Sequence, residues 1–537
     1  METLLTPELS AKYRDGGYWI DRTITDYLDE FAAATPDTVA FIDHRRQITY
    51  GQLRAEVDRC ALGLLELGVR PGDVVSFQLP NWIEWIVVHY AATRIGAISN
   101  PLIPIFRERE VAPMIRLAET KVLVIPESFR DFDYPAMYAG LEGALPSLKH
   151  TLVVGGSYDE FMATPWETRR DRAELAALRP AGDDVTLLIF TSGTTGEPKG
   201  VMHTHNTLVA ANRQLPERLG ITADTVFHIA STLAHLTGFL YGARLNVQNG
   251  ATCVLQDVWD KEQFVALVAR HRISYTSGAT PFLHDFIAAE NLASADVSSL
   301  KLFCCMGAPI PRAIVDQARD AVPEMVVLSG WGQTENALVT LGVPGSPIEK
   351  IVGTDGYPWP GMEIRTVDAD GAVVPAGQQG RLQVRGPSLF LGYLHRLDEA
   401  RACFDGDWFD TGDLGVIDAD GYLKIAGRTK DIIIRGGENI PVAFVENVFY
   451  EHPKIESVAV IGLPDPRLQE RACACVVLKA DADGFTFDEM REYLASKGLA
   501  KQYWPERLEV LQALPTTPSG KIQKFHLRAE LTGGEQK

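Results

Sequence analysis

The chain has 537 residues, too many for one small core, and at about 150 residues per folding unit it calls for several. Its 46% apolar and 23% charged residues exclude a disordered chain and fit an ordinary globular enzyme. A formal charge of −19 with no offsetting run of Lys or Arg argues against nucleic acid as a partner, although a polyanion such as ATP can still bind where backbone N–H groups, one or two cations and Mg²⁺ screen its phosphates.

In chain order, the N-terminal METLLTPELSAKYRDG carries early acidic residues and no apolar segment, so no secretory signal is expected. TDYLDEFAAATPD predicts an amphipathic helix, VAFID a strand, and TYGQLRAEVDRCALGLLELG a long helix capped by Thr49 and closed by Gly68. VVSFQLP predicts a buried strand and WIEWIVVHYAATRIGA a second helix, whose Glu84, His89 and Arg94 mark a core helix and not a membrane span. This alternation predicts α/β layers with mostly parallel strands, continued by KVLVI, HTLVVGG, VTLLIF and ATCVLQD. After about residue 350 short strands and turns take over, with DADG at 368–371 and 418–421 suited to hairpins, so a β-rich subdomain is expected. From Thr429 a small α+β unit closes the chain, with SVAVIGL and ACACVVLKA as strands and a helix opened by a Thr486/Glu489 capping box and ended by Gly498. The expected division is therefore a large N-terminal domain, 1–428, and a small mobile C-terminal domain, 429–537, joined by a hinge. Cysteines at 60, 253, 304, 305, 403, 473 and 475 show no metal spacing and suit buried thiols of a reducing cytosol, which predicts a cytoplasmic enzyme. Monomer and homodimer both stay open.

The strongest chemical signal is TSGTTGEPKG, directly after the apolar LLIF. Gly193 and Gly196 let backbone approach an anion, Thr191, Ser192, Thr194 and Thr195 supply hydroxyls, and Lys199 adds one positive charge. The glycine spacing differs from a Walker A loop, and Lys199 is followed by Gly200 instead of Ser or Thr. The bland alternative is a surface loop of small polar residues.

TSGTTGEPKG resembles, residue for residue, the phosphate loop of the adenylate-forming superfamily, which includes acyl-CoA synthetases, adenylation domains of peptide synthetases and firefly luciferase. Further motifs follow in the family's order. GWGQTE, Gly330 to Glu335, resembles YGxTE with Trp331 in place of Tyr; the resemblance implies adenine stacking by Trp331 between Gly330 and Gly332, a donor to the α-phosphate in Thr334, and Mg²⁺ held by Glu335 with Thr191. Gly307, Ala308 and Pro309 resemble the loop bordering adenine. Asp413 in WFDTGDLG and Arg428 in GRTKD fall where the family grips the ribose. Lys430 falls at the family's hinge, and Arg435, Gly436, Gly437 and Glu438 match the loop lining the coenzyme A tunnel. PTTPSGKIQK nominates Lys521, whose charge would bridge the substrate carboxylate and the α-phosphate as they approach. His235 resembles the histidine near the acyl pocket, flanked by Gly238, Phe239, Gly330 and Ala337, and is expected to shape that pocket.

The resemblance implies an ATP-dependent carboxylic acid:coenzyme A ligase working through an acyl-adenylate, with ATP, coenzyme A and a small carboxylic acid as its partners and Mg²⁺ as its cofactor. Phe227, His228, Ile229 and Ala230 stand where amino-acid-activating relatives keep an Asp, so an apolar medium-chain or alicyclic acid is expected. NPLIPIFRERE and RGGENIP point the same way, toward medium-chain fatty acid and cyclohexanecarboxylate ligases. Two rivals are a stand-alone adenylation enzyme that loads a carrier protein, and a catalytically silent nucleotide-binding protein, which would be expected to lack some motif.

Overall fold

The computed structural model describes every residue except 142, 193–197, 307–311, 429–432, 436–437, 441, 466–468, 500, 518–521 and 533–537, and the backbone alone at 192, 312, 313, 428, 434, 438, 439, 443, 469 and 502. Two local rules start the fold. Thr23 and Thr49 each accept the N–H three residues on, while Asp26 and Gln52 reach back to the cap, so two complete capping boxes open helices Ile24–Ala34 and Tyr50–Glu66. Gly68, at φ +84, then turns the chain out of the second helix.

Two large sheets face each other across a helical layer. In one, strands Val39–Ile42, Thr252–Leu255, Val226–Ile229, Tyr275–Gly278, Leu302–Met306 and Val326–Gln333 run parallel, and antiparallel edge strands Gln47–Thr49, Ala337–Leu341 and Tyr357–Pro358 complete nine described strands. In the other, Val185–Ser192, Ile98–Pro101, Val74–Phe77, Val122–Pro126 and His150–Val154 are parallel, and Pro198–Thr204 is added antiparallel at the edge. The expected parallel layering thus holds in the centres of both sheets, and the antiparallel departures lie at their margins.

Helix Ile83–Arg94 has no polar face because it lies between these sheets. Its Trp85 meets Phe77 of one sheet at 5.0 Å and Phe239 of helix Leu236–Ala243 at 5.9 Å, and all three rings are fully buried. Each such side chain stabilises the fold by about 2–3 kcal/mol. One continuous apolar core joins the two layers.

Strands Glu363–Val367, Gln379–Arg385, Trp408–Ile417 and Leu423–Arg428 form the expected β-rich subdomain. DADG at 418–421 turns Trp408–Ile417 into Leu423–Arg428, as expected. DADG at 368–371 differs: it makes a tight local loop closed by Asp368 donating to the Ala372 carbonyl, while Glu363–Val367 pairs with the more distant Gln379–Arg385. In the C-terminal unit, Ile455–Asp465 and Gln469–Leu478 form a long antiparallel pair over a separate core. Thr486 caps helix Phe487–Ser496, but Glu489 pairs with Lys454 at 3.0 Å instead of closing the capping box. Among the described residues all seven cysteines are free thiols, and no helix is long and apolar enough to cross a membrane.

Candidate active site

The hairpin Val185–Ser192/Pro198–Thr204 sets Thr191 opposite Lys199 at its loop end. Gly193, Thr194, Thr195 and Gly196, with the side chain of Ser192, lie outside the described residues. Lys199 pairs with Glu399, whose carboxyl is held below its ordinary range mainly by that bond. The Lys199 ammonium also lies 5.1 Å from the centre of the Tyr393 ring. Tyr393 in turn donates its hydroxyl to Glu335 Oε1 at 3.0 Å, and burial, then the Glu335 charge, raises its pKa. Backbone bonds from Leu391 to Met202, from Met202 to Gly392 and from Leu394 to Gly200 lash this segment to the hairpin strand. Phosphate-loop lysine and GWGQTE glutamate are thus connected through one tyrosine. Tyr393 and Glu399 were not singled out from sequence, since a Tyr and a Glu outside any motif carry no signal there.

GWGQTE forms the end of strand Val326–Gln333 and the turn into Ala337–Leu341. Gly330 pairs with Met306, which leads into Gly307, Ala308 and Pro309, themselves outside the described residues. Gly332 packs so closely on the opposite strand that a methyl would strike the Ala337 carbonyl, and Ala337 itself takes φ +57, a costly value for a residue with a Cβ. The Thr334 carbonyl accepts from His203 Nε2 at 2.7 Å; burial lowers the His203 pKa to about 4, so the ring is neutral with its proton on Nε2. Nothing in the sequence near MHTH announced that role.

Asp413 is buried on strand Trp408–Ile417, directly across from Arg428 in register; the Arg428 side chain lies outside the described residues. Two donors converge on its Oδ2, Trp331 Nε1 at 2.9 Å and Gln333 Nε2 at 3.0 Å. Gln333 also donates to the Thr411 carbonyl at 2.9 Å. The Trp that replaces the usual Tyr therefore does more than offer a ring face, and Gln333, in the motif's variable position, fixes the same carboxylate. Behind them Asp355 accepts from Ser329 Oγ at 3.1 Å and from the Ile425 N–H at 2.7 Å, tying the nine-stranded sheet to the β-rich subdomain; burial raises its pKa.

Among the residues expected to shape the acyl pocket, His235 caps helix Leu236–Ala243 through Nδ1, which accepts from the Thr237 N–H at 3.3 Å. A side chain at Gly238 would strike the Thr232 carbonyl, so glycine lets the helix close on that segment. Phe239 faces the core, its ring 4.8 Å from His89. His228 is buried, with Nδ1 2.9 Å from Thr276 Oγ1 and Nε2 3.0 Å from Gln256 Oε1, and burial lowers its pKa to about 4. It borders a void of about 10 Å³, room for about one water, with Ala230, Trp259, Phe264, Thr276, Ser277, Phe282 and Phe303, a lining without a carboxylate.

In the C-terminal unit Arg435 pairs with Glu506, which also accepts from the Ala472 N–H at 2.9 Å. Lys430, Gly436, Gly437, Lys521 and the side chain of Glu438 lie outside the described residues. The Lys521 segment is closed at its base by a bridge between Thr516 and Ile522 and by Gln523 donating to the Pro515 carbonyl at 2.7 Å. Among the described residues no three His, Cys, Asp or Glu side chains converge on a metal. Thr191 and Glu335 offer hard oxygen donors, which suits a Mg²⁺ that keeps most of its shell for phosphate and water.

The profile described as AMP-binding enzyme matches residues 28–394, and that of the AMP-binding enzyme C-terminal domain matches residues 444–521. A medium-chain fatty-acid–CoA ligase of Escherichia coli is 36% identical, over 97% of this chain and 92% of its own. A salicyl-AMP ligase/salicyl-S-ArCP synthetase of Mycobacterium tuberculosis is 32% identical, over 96% and 92%. Among solved structures, an anthranilate CoA ligase in complex with anthranoyl-AMP superposes with a TM-score of 0.87 at 26% identity, covering 95% of this chain and 97% of that one.

Proposed function

This chain belongs to the AMP-binding enzyme family, and on that premise we propose the reading its site supports best: a cytoplasmic, ATP-dependent carboxylic acid:coenzyme A ligase that forms AMP and pyrophosphate through an acyl-adenylate. The observation that carries it is the junction of motifs: Lys199 and Glu335 linked through Tyr393, beside a Trp331–Asp413–Gln333 cluster with Arg428 opposite in register. That arrangement would supply, where sheet and β-rich subdomain meet, a cation for phosphate, oxygen donors for Mg²⁺, an aromatic face for a base and a fixed carboxylate for ribose hydroxyls.

In this reading the substrate carboxylate attacks the α-phosphate in line and pyrophosphate leaves. Thr334 donates to the α-phosphate, and Lys521 bridges the two approaching anions. Glu335 and Thr191 would hold a Mg²⁺ ion, which would supply charge neutralisation to the phosphates. Asp413 and Arg428 orient the ribose. Domains 1–428 and 429–537 then rotate about Lys430, which withdraws Lys521 and brings Arg435, Gly436, Gly437 and Glu438 to the thiol's path.

The acid is proposed to be apolar, of medium chain or with a ring. A neutral His228 and its neighbours Ala230, Trp259, Phe264, Phe282 and Phe303 offer an ammonium group no counter-charge. The medium-chain fatty-acid and anthranilate relatives support acids of this kind. An acid panel scored in parallel for pyrophosphate release and coenzyme A thioester tests the reading. Medium-chain or alicyclic acids should turn over far faster than any free amino acid. Adenylation without transfer to free coenzyme A would instead favour loading of a carrier protein, the activity named for the Mycobacterium relative.

A further inference from the structure

Arg244 lies between helices Leu236–Ala243 and Leu245–Gln248 and is fully buried. None of its three side-chain nitrogens has a hydrogen-bond partner. Arg carries five N–H donors and no acceptor, so all of them are directed into the interior. Its guanidinium carbon is 5.6 Å from the centre of the Phe239 ring. The groups that act on its charge are the phenols of Tyr90 and Tyr27, with no carboxylate among them. Burial lowers its pKa to about 10, which still leaves it a cation at neutral pH.

The neighbourhood repeats the pattern. His89 and His205 are buried, both feel the Arg244 charge, and His89 Nε2 and His205 Nδ1 have no partner. His89 Nδ1 is taken by Ser99 at 2.8 Å, and the Tyr90 hydroxyl donates to the Ala243 carbonyl. Burial and Arg244 hold both imidazoles neutral, so neither adds nor cancels charge. Elements from four parts of the chain, Ile24–Ala34, Ile83–Arg94, His205–Arg213 and Leu236–Ala243, thus surround a cation that no carboxylate among the described residues pairs with; Asp26, which His205 feels, is taken by Arg179.

An unpaired buried charge is among the costliest arrangements in a protein interior. Internal water can satisfy the N–H groups but brings no negative charge. We propose that Arg244 holds a small monovalent inorganic anion of halide size at the meeting of these helices, with the rings of His89 and His205 beside it. The anion belongs to the framework and not to the reaction, since the guanidinium has no exposed surface through which an acid substrate could reach it.

The test uses the full-length enzyme. Crystals grown with sodium bromide should show an anomalous peak at hydrogen-bonding distance from the Arg244 guanidinium. At matched ionic strength, exchanging gluconate for chloride should raise Tm saturably by about 2 °C or more, as expected of a ligand that binds only the folded state. Arg244→Met should remove that chloride dependence. A water or a substrate carboxylate in place of the bromide peak, or a wild-type Tm indifferent to chloride, would overturn the proposal. If Arg244→Met does not fold, the wild-type bromide map and chloride titration decide alone.

Discussion

At the proposed nucleotide site, Asp413 is held by two donors that come from the motif opposite it, Trp331 and Gln333. At the proposed acyl end, helix Leu236–Ala243 is held by packing, with Phe239 against Trp85 and His89, and Gly238 closing on Thr232. A hydrogen-bonded grip requires particular residue types at fixed spacing, whereas packing needs only apolar volume of about the right shape. The nucleotide end should therefore respond to single-atom changes, and the acyl end to changes of volume or charge.

The largest expected effect tests whether the nucleotide half-reaction stands apart. Lys521→Ala should slow ATP-dependent adenylation by two to three decades, a loss of roughly 3–4 kcal/mol. The same variant given synthetic acyl-adenylate should form thioester within about tenfold of wild type. Equal loss in both assays would remove Lys521 from its proposed role.

Lys430→Pro should do the reverse, because Pro fixes φ near −65° and hinders rotation. Adenylate formation should persist while thioester formation falls at least about tenfold, or about 1.4 kcal/mol. Single-turnover measurement of each step checks it, and parallel losses would rule out a selective hinge.

Trp331→Phe keeps a ring and deletes one N–H to Asp413. Removing a hydrogen bond to a charged acceptor costs about 1.5–3 kcal/mol, so kcat/KM for ATP should fall at least about tenfold while KM for the acid stays nearly constant. If both substrates are affected alike, the indole N–H does not serve the nucleotide end in particular.

The smallest effect lies at the acyl end. His228 has a folded pKa of about 4, below its unfolded value, so the unfolded chain binds the extra proton between about pH 6.5 and 4. Stability is then fully present above pH 6.5 and is lost as pH falls, by about 1 kcal/mol from this residue at pH 6. His228→Gln should flatten that slope in Tm against pH and leave the ATP parameters alone. An unchanged slope would show that His228 does not carry this linkage.

The same contrast explains what could be read in advance. Thr49 and Gly68 bound a helix through local chemistry, so sequence was enough. Asp413 and Arg428 were named from separate motifs, and the register that sets them opposite each other is a property of the sheet. Gln333, His203, Tyr393 and Asp355 stayed hidden because their partners, Asp413, Thr334, Glu335 and Ile425, lie 80, 131, 58 and 70 residues away. Glu489 was misassigned as a capping partner because Lys454, which takes it instead, comes from another element. Phe239 belongs to a helix whose start borders the acyl side, but only the packing reveals which way its ring faces.

On the proposed role of Lys199, its ion pair with Glu399 gives the nucleotide end a tethered rival for its ligand. A triphosphate that engages Lys199 displaces one anion by another, so the lysine is never stripped of a counter-charge and the arriving phosphate gains only the difference between two attractions. The carboxylate, fixed to the same chain, competes at an effective concentration that dilution does not lower. In the proposed reading, affinity for ATP is thereby held below what the phosphate loop alone would give, and the exchange lets pyrophosphate depart against a group ready to take its place.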